Sequence, residues 1–245
     1  MTAVPARNRI IALPRSWWWG FLPFAAVSAV HVGARFAGSA DIAEPTKLTL
    51  MPLLAVAVLW AARGSGSESR GGIGSAAPGS TLPSVLLFAA LFFSWLGDGA
   101  AAFFPFAPEL PVMLASFGAA HICYIMLLAG YVARRRFPRW ALVFPLWWVL
   151  MLVVLWPSLG SLTLAVAAYG VVLAGTAATA ARCSPTVAAG GVLFLASDTI
   201  LSLRIFLPDA MPDWTSAVVM LTYCAGQGLI VAGVLRTRAA GHPRQ

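Results

Sequence analysis

The chain has 245 residues, of which 60% belong to the hydrophobic set and 10% are charged, and its mean hydropathy is +0.85. A soluble domain carries roughly 25% charged residues, so a water-soluble globule is excluded and a single-domain, all-α polytopic transmembrane bundle is expected. The net charge of +8 does not point to nucleic acid, because the basic residues sit between apolar runs and read as anchors of cytoplasmic loops.

The first apolar run covers residues 17–36, follows Arg7, Arg9 and Arg15, and opens on Trp17, Trp18 and Trp19. A basic start with Gly38-Ser39-Ala40 beyond the run resembles a signal peptide. About 20 residues nevertheless suffice to span the ~30 Å hydrocarbon core, and tryptophans favour the interface, so a retained helix is expected. A polar loop holding Asp41, Glu44 and Lys47 comes next, then a second helix over residues 48–62. Residues 63–83 are rich in Gly and Ser and read as a flexible cytoplasmic linker. Helices three to eight are expected at 84–104, 110–132, 140–156, 162–181, 187–207 and 214–235, with a basic tail at 236–245.

Eight spans with a cytoplasmic amino terminus put Arg7, Arg9, Arg15, Arg63, Arg70, Arg134, Arg135, Arg136, Arg139, Arg182, Arg236, Arg238 and Arg244 on the inside. Only Arg35, Lys47 and Arg204 fall at outer positions, 3 of the 16 basic residues. That asymmetry obeys the positive-inside rule and places both termini in the cytoplasm of a cell (inner) membrane protein. Helices three and seven each carry Leu-Phe followed by an aspartate, and helices four and eight return with His121 and Gln227. Two parallel repeats of four helices would give this pattern.

The carboxylates of Asp98 and Asp198 stand out, because ionisable groups at membrane depth are costly and mark function by default. Ser94 and Asp98 are i and i+4 and share a face, as do Asp198 and Ser202, and Tyr223 and Gln227; His121 and Tyr124 are i and i+3. Interhelical hydrogen bonding alone accounts for Ser94, Ser202 and Tyr223, and His121 is equally suited to packing and to chemistry. For the aspartates the functional reading is preferred, since Asn or Gln would bridge helices without an ionisable group. Two carboxyls in one dry cavity can act as acid and base on a C–O bond that breaks through an oxocarbenium-like state. A zinc site takes three protein ligands, and only His31 and His121 lie within helices, with His242 in the tail. No metal and no cofactor are therefore expected. Cys123, Cys183 and Cys224 have no metal-ligand spacing and imply no disulfide framework. Lys47 and Arg204 sit at outer helix ends, where snorkelling explains them; with a phospholipid substrate they would hold its phosphate.

Ser94-Trp-Leu-Gly-Asp98, Ala120-His121-Ile-Cys-Tyr124, Leu193-Phe-Leu-Ala-Ser-Asp198 and Tyr223-Cys-Ala-Gly-Gln227-Gly-Leu-Ile230 resemble the YhhN-like family of lysoplasmalogenases. Thr46-Lys47-Leu-Thr-Leu-Met-Pro52 resembles the family's segment opening the second helix, with Leu48 where the family has proline after the lysine. The resemblance implies hydrolysis of the vinyl-ether bond of a lysophospholipid to a fatty aldehyde and a glycerophospho-ethanolamine or -choline. Asp98 and Asp198 would then be catalytic, with His121 relaying a proton or orienting an aspartate. Lys47, Ser94, Tyr124, Arg204, Tyr223 and Gln227 would contact substrate or water. The partners are a lysophospholipid and the bilayer. A proton-coupled transporter using the same aspartates is the alternative, and a structural or lipid-sensing protein without turnover is a third reading.

Overall fold

The computed structural model describes residues 13, 16–63 and 81–240, and every regular element among them is helical. A 3₁₀ turn, Trp17–Phe21, leads into α1 (Leu22–Phe36), followed by α2 (Ala40–Arg63), α3 (Thr81–Asp98) and a single turn, α4 (Ala100–Phe103). Then come α5 (Glu109–Leu127), which ends in a π turn (Leu128–Val132), α6 (Val143–Leu159), α7 (Thr163–Ala180), α8 (Pro185–Phe206) and α9 (Thr215–Ala239). Among the described residues five segments are long and apolar enough to cross a bilayer: Ala40–Arg63, Glu109–Val132, Arg139–Ala180, Pro185–Phe206 and Thr215–Ala239. The long third segment contains two helices, because Gly160 adopts a positive φ of 52° between α6 and α7. The Trp148 indole of α6 then donates to the Ala167 carbonyl of α7 at 3.0 Å.

Three boundaries differ from expectation. Asp41, Glu44 and Lys47 are helical rather than in a loop, because Gly38, at φ 69°, completes the turn and α2 begins at Ala40. Gly99 leaves helical geometry at ψ 14°, so the expected third helix stops at Asp98 and resumes as α4. Arg236 and Arg238 belong to the last turn of α9 rather than to a tail. Residues 64–80, most of the expected linker, and Arg7, Arg9 and His242 lie outside the described residues.

Packing follows a ring, α2–α3–α5–α7–α8–α9, closed on α2 directly and through α1. Helix α6 lies outside it against α7 and α8, and exposes Leu146, Leu150, Val153 and Trp156, as a lipid-facing helix would. The α8–α9 contact is the most extensive in the bundle. A Cβ on Gly190 would lie 2.8 Å from the Gly226 carbonyl oxygen, and one on Gly226 would lie 2.9 Å from the Phe194 amide. Small residues let helix backbones approach in this way where lipid supplies no hydrophobic drive.

Two prolines, Pro45 and Pro52, lie inside α2. Proline has no N–H to offer the carbonyl four residues back, so Pro52 leaves Leu48 without its helical donor. The Trp95 indole of α3 supplies one, at 2.9 Å from the Leu48 oxygen. This bond fixes the backbone beside Lys47 against α3. Trp95→Phe keeps the aromatic packing on Phe103 but leaves that carbonyl unpaired, so thermal unfolding in detergent is expected to show a loss of about 1–3 kcal/mol.

The two ends of the bundle differ in charge. At one end Arg134 and Arg135 donate backbone N–H groups to the Arg182 carbonyl, Arg238 bonds Ser84, and Arg236 lies 5.4 Å from the Trp17 ring centroid. These are residues the charge count groups on the cytoplasmic side. At the other end Arg35, Lys47 and Arg204 meet around a cavity.

Candidate active site

The cavity lies inside the ring and holds about 680 Å³. Every ring helix contributes to its wall, as do α1 and α4. Because α3 ends at Asp98, that carboxyl lies at the junction with the loop, while Asp198 lies eight residues before the end of α8, about 12 Å down the helix. Both aspartates line the cavity, and Asp98 is within the electrostatic reach of Asp198 and Lys47. Met113, Phe117, Val166, Leu201 and Met220 make much of the wall apolar. The rim carries Arg35, Lys47 and Arg204 together with Glu44 and Glu109. A cavity of this size, with a largely apolar wall and convergent polar groups, is the usual form of a small-ligand site.

Each carboxyl is held by a phenol. Tyr223 of α9 donates to Asp98 Oδ2 at 2.8 Å, and Tyr169 of α7 donates to Asp198 Oδ2. Behind Asp198 stands His121, fully buried, with Nε2 3.8 Å from Oδ2 and 3.4 Å from the Tyr169 hydroxyl. Its Nδ1 lies 3.0 Å from Thr176 Oγ1, which itself donates to the Val172 carbonyl. Nδ1 is therefore the donor of that pair, and the network turns Nε2 toward Asp198. The His121 ring also packs on Phe194, 4.7 Å between centroids, so its orientation is fixed from three sides. Asp98 on α3 is thus reached from α9 and Asp198 on α8 from α5 and α7.

These motifs and their geometry agree with one comparison: the profile of the YhhN family matches residues 43–234. The chain belongs to the YhhN family. No curated protein and no solved structure matches it. The stretch shared with the YhhN family contains both aspartates, both phenols and His121.

The structure divides the remaining expected site residues between the cavity wall and the frame around it. Ser94, Tyr124 and Gln227 do not line the cavity. Tyr124 donates to Gln227 Oε1, and Gln227 Nε2 donates to Ser94 Oγ at 3.1 Å, a buried chain that joins α5, α9 and α3. Their side-chain polar groups are engaged with one another and tie the frame together. His121 is also absent from the wall and faces Asp198 from behind, Nε2 to Oδ2, at 3.8 Å. Arg204 lines the cavity, but its Nη1 is tied to the Pro212 carbonyl at 2.9 Å and to Thr215 Oγ1 at 2.5 Å, pinning the α8–α9 connection. Lys47 and Tyr223 do line it.

Tyr169 escaped the sequence reading, although an isolated phenol in the apolar run 162–181 was a visible signal. Among the described residues no group of three His, Cys, Asp or Glu side chains is arranged to hold a metal ion. Gln227→Leu breaks both bonds of the buried chain and strands Tyr124 and Ser94. It is expected to cost about 2–4 kcal/mol in thermal unfolding, with ligand affinity changed far less than by a substitution on the wall.

Proposed function

We propose that the protein is a membrane-embedded hydrolase that cleaves the vinyl-ether bond of lysoplasmalogen-type lysophospholipids. The products are a fatty aldehyde and a glycerophospho-ethanolamine or -choline. One observation carries the reading: Asp98 and Asp198 open into a single cavity that has an apolar wall and a charged rim. Membership of the YhhN family, taken with its lysoplasmalogenase-type members, supports the same chemistry.

In this mechanism one carboxyl delivers a proton to the β-carbon of the vinyl ether, and the π electrons of the double bond form the new C–H bond. Positive charge then develops on the ether-bearing carbon as an oxocarbenium ion. The other carboxyl takes a proton from water as the water oxygen attacks that carbon. The resulting hemiacetal loses the glyceryl alcohol and leaves the aldehyde, so no oxidant or reductant is needed. Tyr169 and Tyr223 position the two carboxyls, and His121, whose bare Nε2 faces Asp198, takes up and returns its proton. The bilayer delivers the substrate, with both termini of the protein in the cytoplasm and the cavity opening on the opposite face.

The test is aldehyde release by purified protein in nanodiscs, from a 1-alkenyl lysolipid and from its saturated 1-alkyl counterpart. Aldehyde from the alkenyl lipid alone is expected. Release from neither, with proton-driven uptake into proteoliposomes instead, would favour a transporter. Tyr169→Phe is expected to lower kcat about tenfold to a hundredfold, with KM changed less, because it loosens Asp198 without altering the wall's shape.

A further inference from the structure

His31 and Arg35 lie one helical turn apart on α1, and both line the cavity. His31 is 1% exposed and its Nε2 has no hydrogen-bond partner; Arg35 Nε is likewise buried and unpartnered. A buried polar atom left unpaired costs about 1–3 kcal/mol. Two of them on side chains of one cavity wall indicate groups kept for a ligand.

The two atoms have opposite needs. Thr46 Oγ1 lies 2.9 Å from His31 Nδ1 and directs its own proton to the carbonyls of Ile42 and Ala43, at 2.5 and 3.0 Å. His31 Nδ1 is therefore the donor to Thr46, and Nε2 of the neutral ring is a bare acceptor. Arg35 Nε–H is always a donor. An acceptor and a charged donor at i and i+4, roughly 5–6 Å apart at Cβ, complement a hydroxyl and a phosphate ester on adjacent carbons. Lys47, the next cation on the wall, adds to the charge available for the phosphate.

We propose that α1 forms a subsite for a free secondary hydroxyl next to a phosphate ester, with His31 Nε2 accepting from the hydroxyl while Arg35 and Lys47 hold the phosphate. The inference rests on the lysophospholipid reading and deepens it. A lipid acylated at that hydroxyl has no proton to give His31, so this contact selects the lyso form. The assignment falls on α1, which precedes the stretch matched by the family profile at 43–234.

Binding can be read apart from turnover with a saturated 1-O-alkyl-glycero-3-phosphoethanolamine, which has no vinyl ether, and its 2-deoxy analogue. Both compete for the full chain in nanodiscs against a radiolabelled copy of the first. Wild type is expected to prefer the hydroxyl form by about tenfold or more. His31→Phe should bind both at the wild-type affinity for the deoxy form, and His31→Gln, which retains an acceptor, should recover part of the preference. Arg35→Met should weaken the phospholipid yet leave phosphate-free 1-O-alkylglycerol unchanged. Equal wild-type affinity for the hydroxyl and deoxy forms would overturn the subsite, and that result requires no variant to fold. A hydroxyl preference without aldehyde release would support the subsite and overturn only the hydrolysis.

Discussion

Asp98→Asn and Asp198→Asn are each expected to reduce aldehyde release by about 10²–10⁴-fold, the range for loss of a positioned acid or base. Asparagine keeps the volume and an accepting oxygen, so the bonds from Tyr223 at 2.8 Å and from Tyr169 can persist. Size-exclusion profile and thermal midpoint should therefore stay close to wild type, which separates loss of chemistry from loss of fold. Because the carboxyls have consecutive roles in one reaction, the double variant should be hardly slower than the worse single one. If either single variant kept more than about a tenth of wild-type turnover, that aspartate would be a helix-bridging residue and the paired mechanism would fail.

The second large effect concerns the α8–α9 contact. A methyl group at Gly190 would meet the Gly226 oxygen at 2.8 Å and the Ile230 nitrogen at 2.8 Å, and one at Gly226 would meet the Phe194 nitrogen at 2.9 Å. All three atoms are backbone and cannot swing aside as a side chain would. Gly190→Val and Gly226→Val should each destabilise the bundle by about 3 kcal/mol or more, seen as loss of monodisperse protein or a collapsed thermal midpoint. Turnover should fall with stability, since α8 carries Asp198 and α9 carries Tyr223. Gly33→Ala is the control: a Cβ there meets nothing within 4 Å, and the substitution should be neutral or slightly stabilising.

The helices were legible in the sequence because a bilayer demands long apolar runs, and those runs survive boundary errors of a few residues. Asp98 and Asp198 were legible for the same reason, since an acid is conspicuous within such a run. Residues 40–47 were misread as loop because Asp41, Glu44, Pro45 and Lys47 look like surface punctuation. At the end of a bundle that encloses a cavity the same residues are helical, and Glu44, Pro45 and Lys47 line that cavity. Tyr169 and the division between wall and frame were hidden for a different reason. Helical spacing says which residues share a face, but not which neighbour that face meets. Nothing in the one-dimensional pattern distinguishes Tyr223, whose phenol reaches Asp98, from Tyr124, whose phenol reaches Gln227. The repeat relation between α3–α5 and α8–α9 remains a proposal, supported by the reach of α9 to Asp98 and of α5 to Asp198.

The most direct measurement of the central claim is hydrolysis of a 1-alkenyl lysolipid in D₂O, with the aldehyde trapped as it forms and weighed by mass spectrometry. Authentic aldehyde trapped under the same conditions controls for solvent exchange. Protonation of the β-carbon by a carboxyl in exchange with solvent predicts one deuterium on the carbon next to the carbonyl, with the yield of this aldehyde from Asp98→Asn and Asp198→Asn lower by about 10²–10⁴-fold. Aldehyde without deuterium, or disappearance of the lipid without aldehyde, would contradict acid–base cleavage by the two aspartates.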